Sequence, residues 1–148
     1  MSLSFWTVIP VIVLAGAAVA LQAPINSALG RTLDNTLSAA CISFGVGFLI
    51  LIILTLTTNG PAGFYRLSEI QWWQITGGVL GAFYVWATLW GVPTLGVLTT
   101  IAALIFGQML IALFLDTFGH FGMPVKDISI QRIAAVFLVS AGLILSRY

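Results

Sequence analysis

The sequence predicts an all-α integral membrane protein with five transmembrane helices, and three observations carry that prediction. Of the 148 residues 60% are hydrophobic, only 6% are charged, and the gaps between charges have the lengths of membrane spans. A water-soluble domain carries roughly 25% charged residues. Five Lys or Arg with four Asp or Glu are too few to cover such a particle and keep it dispersed in water. The solvent is therefore lipid, and residues 1–148 read as one transmembrane domain.

A helix crossing the hydrocarbon needs about 20 residues at about 1.5 Å each, so the uncharged runs count the spans. The first is 5–29, in the uncharged stretch before Arg31, with Trp6 where an interfacial aromatic belongs. Leu3–Ala20 has the look of a secretion signal with an Ala18-Val19-Ala20 end, but it lacks a positive leading region, so no cleavage is expected. The second span is 34–58, with Asp34 as its expected N-cap and Asn59-Gly60-Pro61 as its terminator. Residues 70–115 carry no Asp, Glu, Lys or Arg and as one helix would be roughly 69 Å long, more than twice the hydrocarbon thickness. The break Gly91-Val92-Pro93-Thr94-Leu95-Gly96 divides that run into spans 70–90 and 95–116. The fifth span, 129–146, starts at Ser129 as N-cap and closes on Arg147 and Tyr148. The connections 59–69 and 117–128, rich in Phe, Tyr, Leu and Met, are expected to lie along the headgroups.

Five spans place the termini on opposite faces. Arg66, Lys126 and Arg132 then fall on one side and Arg31 and Arg147 on the other, a bias too small to fix the orientation. One reading is dual topology, with two oppositely inserted copies pairing as an antiparallel homodimer, a ten-helix bundle with inverted-repeat symmetry. The other is a single orientation, with a monomer, a parallel oligomer or a partner subunit.

The segments Gln22-Ala23-Pro24-Ile25-Asn26-Ser27-Ala28-Leu29-Gly30-Arg31, Ser43-Phe44-Gly45-Val46-Gly47, Gly77-Gly78-Val79-Leu80-Gly81-Ala82-Phe83-Tyr84-Val85-Trp86, Pro93-Thr94-Leu95-Gly96, and Gly107-Gln108 followed by Asp116-Thr117-Phe118-Gly119 together resemble the YdcZ-like family of five-helix membrane proteins. That family is placed in the drug/metabolite transporter superfamily. The resemblance spans nearly the whole chain, and its individually weak motifs fall in the right order. It implies a multi-pass protein of the bacterial inner membrane with inverted-repeat architecture, and it supplies no substrate.

Polar side chains inside a bilayer are costly and should face protein, a cavity or water. Gln22 and Asn26 lie four apart on one helix face, and Pro24 between them leaves the Ala20 carbonyl without its usual donor. A kinked, polar segment results, either lining a substrate site or clamping a neighbouring helix. Gln108, Ala112 and Asp116 share one face of the fourth span, leading from a buried amide to an interfacial carboxylate. Asp116 serves access or coupling, or is simply solvated or paired with Lys126 or His120. In the third span Gly77 and Gly81 mark a contact face that also carries Gln74, Gly78 and Thr88, while Trp72, Phe83, Trp86 and Trp90 form an aromatic stripe facing lipid or a cavity. Tyr84 or Trp86 pointing inward would make an aromatic wall for a ligand. The pairs Ser43/Gly47 and Ala103/Gly107 read as further packing positions, with Ser43 also a candidate substrate contact. Ala134, Ala135, Ala141 and Gly142 make the fifth helix the candidate dimer contact.

Several function classes drop out. No basic cluster exists to hold nucleic acid. A lone cysteine, Cys41, forms no intramolecular disulfide and is expected as a small buried residue. One histidine, without HExxH, GxSxG, a phosphate loop or paired membrane carboxylates, assembles no metal site, cofactor site or catalytic set. No Asp, Glu, Lys, Arg or His sits near the middle of any span, which disfavours proton-coupled cation exchange through a central carboxylate and points to an uncharged or zwitterionic small-molecule substrate. The expectation is a small secondary transporter working by alternating access around Gln22, Asn26, Ser43, Tyr84, Trp86 and Gln108. The alternative is a non-transporting assembly or scaffold module.

Overall fold

A computed structural model describes residues 5–148, all helices and short connections. The start of the signal-like stretch, Leu3, lies outside the described residues. Helix α1 runs Phe5–Thr32 without interruption through Pro10 and Pro24. The helix thus continues past Pro24, which removes one backbone donor within it. The chain then turns sharply. Asn35 N–H donates to the Gly30 carbonyl (3.0 Å) and Asp34 N–H to the Arg31 carbonyl (3.3 Å), the paired bonds of a Schellman end. Asp34 occupies the left-handed position of that motif (φ 50°), which glycine usually fills. It is therefore not the cap of the next helix. Asn35, in extended conformation, takes that role, its side chain accepting from Ser38 N–H at 2.9 Å.

Helix α2 (Thr36–Asn59) ends at Gly60, whose φ of 60° stops it. Three 3₁₀ turns follow, Gly60–Phe64, Leu67–Glu69 and Trp72–Ile75. Gln71 N–H donates to Gln74 Oε1 at 2.8 Å, so Gln74 caps a turn and lies outside helix α3, which runs Thr76–Leu95. The break expected across Gly91–Gly96 falls at the last of those residues, Gly96 (φ 78°, ψ 166°), the single residue between α3 and α4 (Val97–Phe118). Pro93 removes one donor yet keeps a helical φ, whereas the backbone at Gly96 is open only to glycine. After Gly119 and a 3₁₀ turn at His120–Gly122, Ser129 accepts from Arg132 N–H at 3.3 Å and starts α5, Ile130–Leu145.

Helices α1 to α4 are long and apolar enough to cross a membrane, while α5 is a shorter apolar helix of 16 residues. It extends about 24 Å, less than the ~30 Å hydrocarbon.

The chain divides into two compact units at Pro93/Thr94. In the first, α1 buries Ala23, Asn26, Ser27 and Gly30, and α3 buries Val85, Thr88, Leu89 and Val92, each set at the i, i+3, i+4, i+7 spacing of one helix face. Between them Ala39, fully buried, and Ala40 of α2 complete a core with Leu89, flanked by Leu29 and Tyr84. Helices in lipid associate through close packing of small residues. Here α1 and α2 meet at Gly30, where a Cβ would stand 3.7 Å from both the Ala39 Cβ and the Thr36 Cα. Large apolar side chains such as Leu14, Phe48, Leu51 and Leu80 point outward, as lipid permits. Cys41, expected to be buried, is also on the exposed side of α2.

The second unit is a hairpin of α4 and α5 fastened at both ends. Thr99 Oγ1 donates to the Ser146 carbonyl at 2.9 Å, and Ser146 Oγ donates to Thr99 Oγ1 at 3.3 Å. At the other end Arg132 pairs with Asp116, and Lys126 N–H donates to the Asp116 carbonyl at 2.8 Å.

Candidate functional site

In the first unit the polar residues of α1 form a track. Asn26 is buried, and its Nδ2 donates to Ser43 Oγ of α2 at 3.0 Å. This bond ties α1 to α2 about 9 Å, or six residues, before the end of α1 at Thr32. Gln22 lies one turn further from the α1 C-terminus, two residues or about 3 Å from the midpoint of the apolar segment Val8–Thr32. Its side chain is exposed and makes no hydrogen bond among the described residues. An amide in that position costs several kcal/mol in hydrocarbon unless something pairs with it.

Gln22 opens onto two spaces. One is a cleft of about 340 Å³ beside α2, lined by Gln22, Ser43, Phe44, Gly47, Phe48 and Leu51. The other is a gap of about 10 Å³ towards α3, bordered by Gln22, Asn26, Tyr84, Val85, Thr88 and Leu89, with room for about one water. Four of the residues singled out in the sequence, Gln22, Asn26, Ser43 and Tyr84, are thus brought around one point.

Trp86 lies elsewhere. It is half-buried, stacks on Trp90 (centroids 6.4 Å apart, 15° between planes), touches Phe83, and lines a cavity of about 460 Å³ at the α1–α2 turn. Of the expected aromatic stripe, Phe83, Trp86 and Trp90 make ring contacts, with Trp86 the member that turns inward, whereas Trp72 lies in the 3₁₀ turn before α3 and does not join them. The contact face of α3 is 85, 88, 89 and 92; of the glycines expected there, Gly81 has Phe44 at 3.7 Å, while Gly77 and Gly78 have open space. Gly47 and Gly107 likewise meet nothing within 4 Å among the described residues.

In the second unit Gln108 is exposed on α4 and makes no hydrogen bond among the described residues. Asp116 pairs with Arg132, neither with Lys126 nor with His120. The reason is the hairpin: Asp116 near the C-terminus of α4 and Arg132 near the N-terminus of α5 each sit at the unfavourable end of a helix dipole, and pairing neutralises both. His120 packs instead among Phe114, Phe118 and Phe121 (centroids 5.4, 5.8 and 6.4 Å). No group of three metal-ligating side chains occurs among the described residues.

Two features escaped the sequence reading. Ser27, buried, accepts from Arg31 Nη1 at 3.1 Å, and Thr99 anchors the end of α5. The run Ala23, Asn26, Ser27, Gly30 carried the signal for the first, as small and polar residues at helical spacing in an apolar span.

The family model described as "Putative inner membrane exporter, YdcZ" matches residues 7–145. The chain is 29% identical over 137 residues to "Inner membrane protein YdcZ" of Escherichia coli (strain K12), covering 92% of each chain. No solved structure matches.

Proposed function

The chain belongs to the YdcZ family and is a multi-pass protein of the bacterial inner membrane, and on that premise we propose that it is a small secondary transporter without enzymatic activity. It carries a small organic molecule without net charge by alternating access, as a dimer of two oppositely inserted copies. The observation that carries the reading is Gln22: an unpaired amide about 3 Å from the middle of an apolar span, beside the Asn26–Ser43 bond and open to a 340 Å³ cleft. A residue that only clamped helices would be paired within the unit, as Asn26 is. Substrate contacts are assigned to Gln22, Asn26, Ser43 and Tyr84, with Trp86 and Gln108 as further contacts. Asp116 would serve access only if its pairing with Arg132 opens.

Two features support the dimer. Gly47, Gly77 and Gly107 leave open small-residue surfaces of the kind helices in lipid use for close contact, and the near-even charge distribution permits both orientations. The test of the assembly replaces Cys41→Ala, appends one cysteine after Tyr148, and labels intact cells with a membrane-impermeant maleimide. Reaction of about half the sites before permeabilisation supports the antiparallel dimer. Reaction of all or none refutes it.

A further inference from the structure

We propose that the cavity at the α1–α2 turn binds a zwitterion, a molecule with an anionic oxygen group, a cationic nitrogen and an apolar flank, and presents it to the Gln22 seam. This use of the cavity rests on the transport reading above. The cavity of about 460 Å³ is lined by Ser27, Arg31, Asp34, Trp86, Leu89 and Pro93 among others, and its volume is in the range of small-molecule sites.

The decisive feature is that it contains one charge of each sign and the two are not paired. Arg31 and Asp34 are three residues apart across the end of α1, yet neither makes an ion pair among the described residues. Arg31 is held by Ser27 through one nitrogen, Nη1, which leaves the rest of its planar fork free for a carboxylate or phosphate. The Asp34 carboxylate makes no hydrogen bond among the described residues, so it is free to meet an ammonium. Trp86 and Leu89 form the apolar wall, with Trp86 fixed by its stack on Trp90.

A second observation concerns Asp34 itself. It sits at φ 50° in the one position of the Schellman end where glycine is the unstrained residue. No hydrogen bond or ion pair of the turn uses the carboxylate among the described residues, so at a position glycine would occupy without strain Asp34 supplies the second, unpaired charge. Polar side chains continue inward from it along α1. Arg31 bonds Ser27, Ser27 adjoins Asn26, and Gln22 is one turn further, a polar track of about 13 Å along α1. A molecule of single charge would leave one of the two groups uncompensated, whereas a zwitterion pairs both.

The test uses the full chain purified in nanodiscs of phosphatidylglycerol, with equilibrium binding of radiolabelled L-phenylalanine and of glycerophosphoethanolamine. These probes separate a free solute from a lipid headgroup. Saturable binding of either is expected, at least tenfold weaker in Arg31→Gln and in Asp34→Gly, and at least tenfold weaker for phenethylamine and 3-phenylpropanoate than for L-phenylalanine when that is the ligand. Asp34→Gly should melt at the parent temperature or above, so its loss of binding cannot come from misfolding. No saturable binding of either probe, or binding indifferent to both substitutions, overturns the proposal. Binding with these properties in a chain that carries out no flux refutes the transport reading and leaves the zwitterion site standing.

Discussion

Ser43→Ala isolates the Asn26–Ser43 bond, because it removes the Oγ that accepts from Asn26 Nδ2 at 3.0 Å and changes little else. Asn26 is 6% exposed, and the neighbouring gap of about 10 Å³ holds at most about one water, so the freed donor has little to turn to. In water-soluble proteins a buried donor left unpaired costs about 1–3 kcal/mol. Between membrane helices the measured coupling is smaller, about 0.6 kcal/mol on average and up to about 1.7, because the unfolded helices in lipid also find partners. The two ranges meet near 1 kcal/mol, about a fivefold change in the unfolding constant. Equilibrium unfolding in mixed micelles, titrated with a denaturing detergent and followed by tryptophan fluorescence, measures it for Ser43→Ala, Asn26→Ala and the double variant. The coupling from that cycle is expected between about 0.6 and 1.7 kcal/mol. A coupling below about 0.3 kcal/mol, within the additivity expected of independent sites, refutes the claim that this bond ties α1 to α2.

Gly119→Ala should lower the stability of the α4–α5 hairpin by about 2 kcal/mol in the same assay, since φ is 61° and the new Cβ would stand 2.6 Å from Val125 Cγ2 and 3.0 Å from the Met123 carbonyl; an unchanged midpoint would contradict that geometry. Arg132→Gln leaves Asp116 facing the C-terminal dipole of α4 alone and should speed proteolysis of the 117–129 connection, an effect of about 1 kcal/mol because both partners are part-exposed. Adding Asp116→Asn should restore the parent rate. Asp34→Gly should stabilise the chain by about 0.5–1 kcal/mol through relief at φ 50°, read as a raised thermal midpoint; a drop would show that the Asp34 carboxylate holds the turn.

What the sequence made legible followed from the solvent. Lipid disfavours unpaired charge, so the gaps between charges mark α1, α2 and α4 to within a few residues of their observed ends, whereas α3 starts six residues and ends five residues later than the expected span 70–90. The ends themselves depend on single backbone choices that composition does not reveal. Asp34 resembles a cap and is instead the left-handed closing residue of α1, and Pro93 resembles a breaker although Gly96 makes the break. The pairing of Gln22 and Asn26 on one face was readable from their spacing, but the partner Ser43 of Asn26 depends on which faces of α1 and α2 meet. Small-residue spacing alone pointed equally to 43/47, 77/81 and 103/107, while the close approach runs through Gly30 and Ala39. For Asp116 the sequence offered Lys126 or His120 as partner, and the register of the α4–α5 hairpin selects Arg132 instead.

The central claim is that Gln22 lines a water-filled path that opens to each face in turn. In a Cys41→Ala background Gln22→Cys is reconstituted into vesicles and treated from outside with a membrane-impermeant methanethiosulfonate, which reacts only where water reaches the thiolate. The account predicts reaction of nearly all the introduced thiols from that one side, because alternation brings each copy's site to the outer face. Reaction that stops at half, or does not begin, contradicts it: the first describes fixed one-sided pockets in opposed copies, the second an amide sealed in a helix contact.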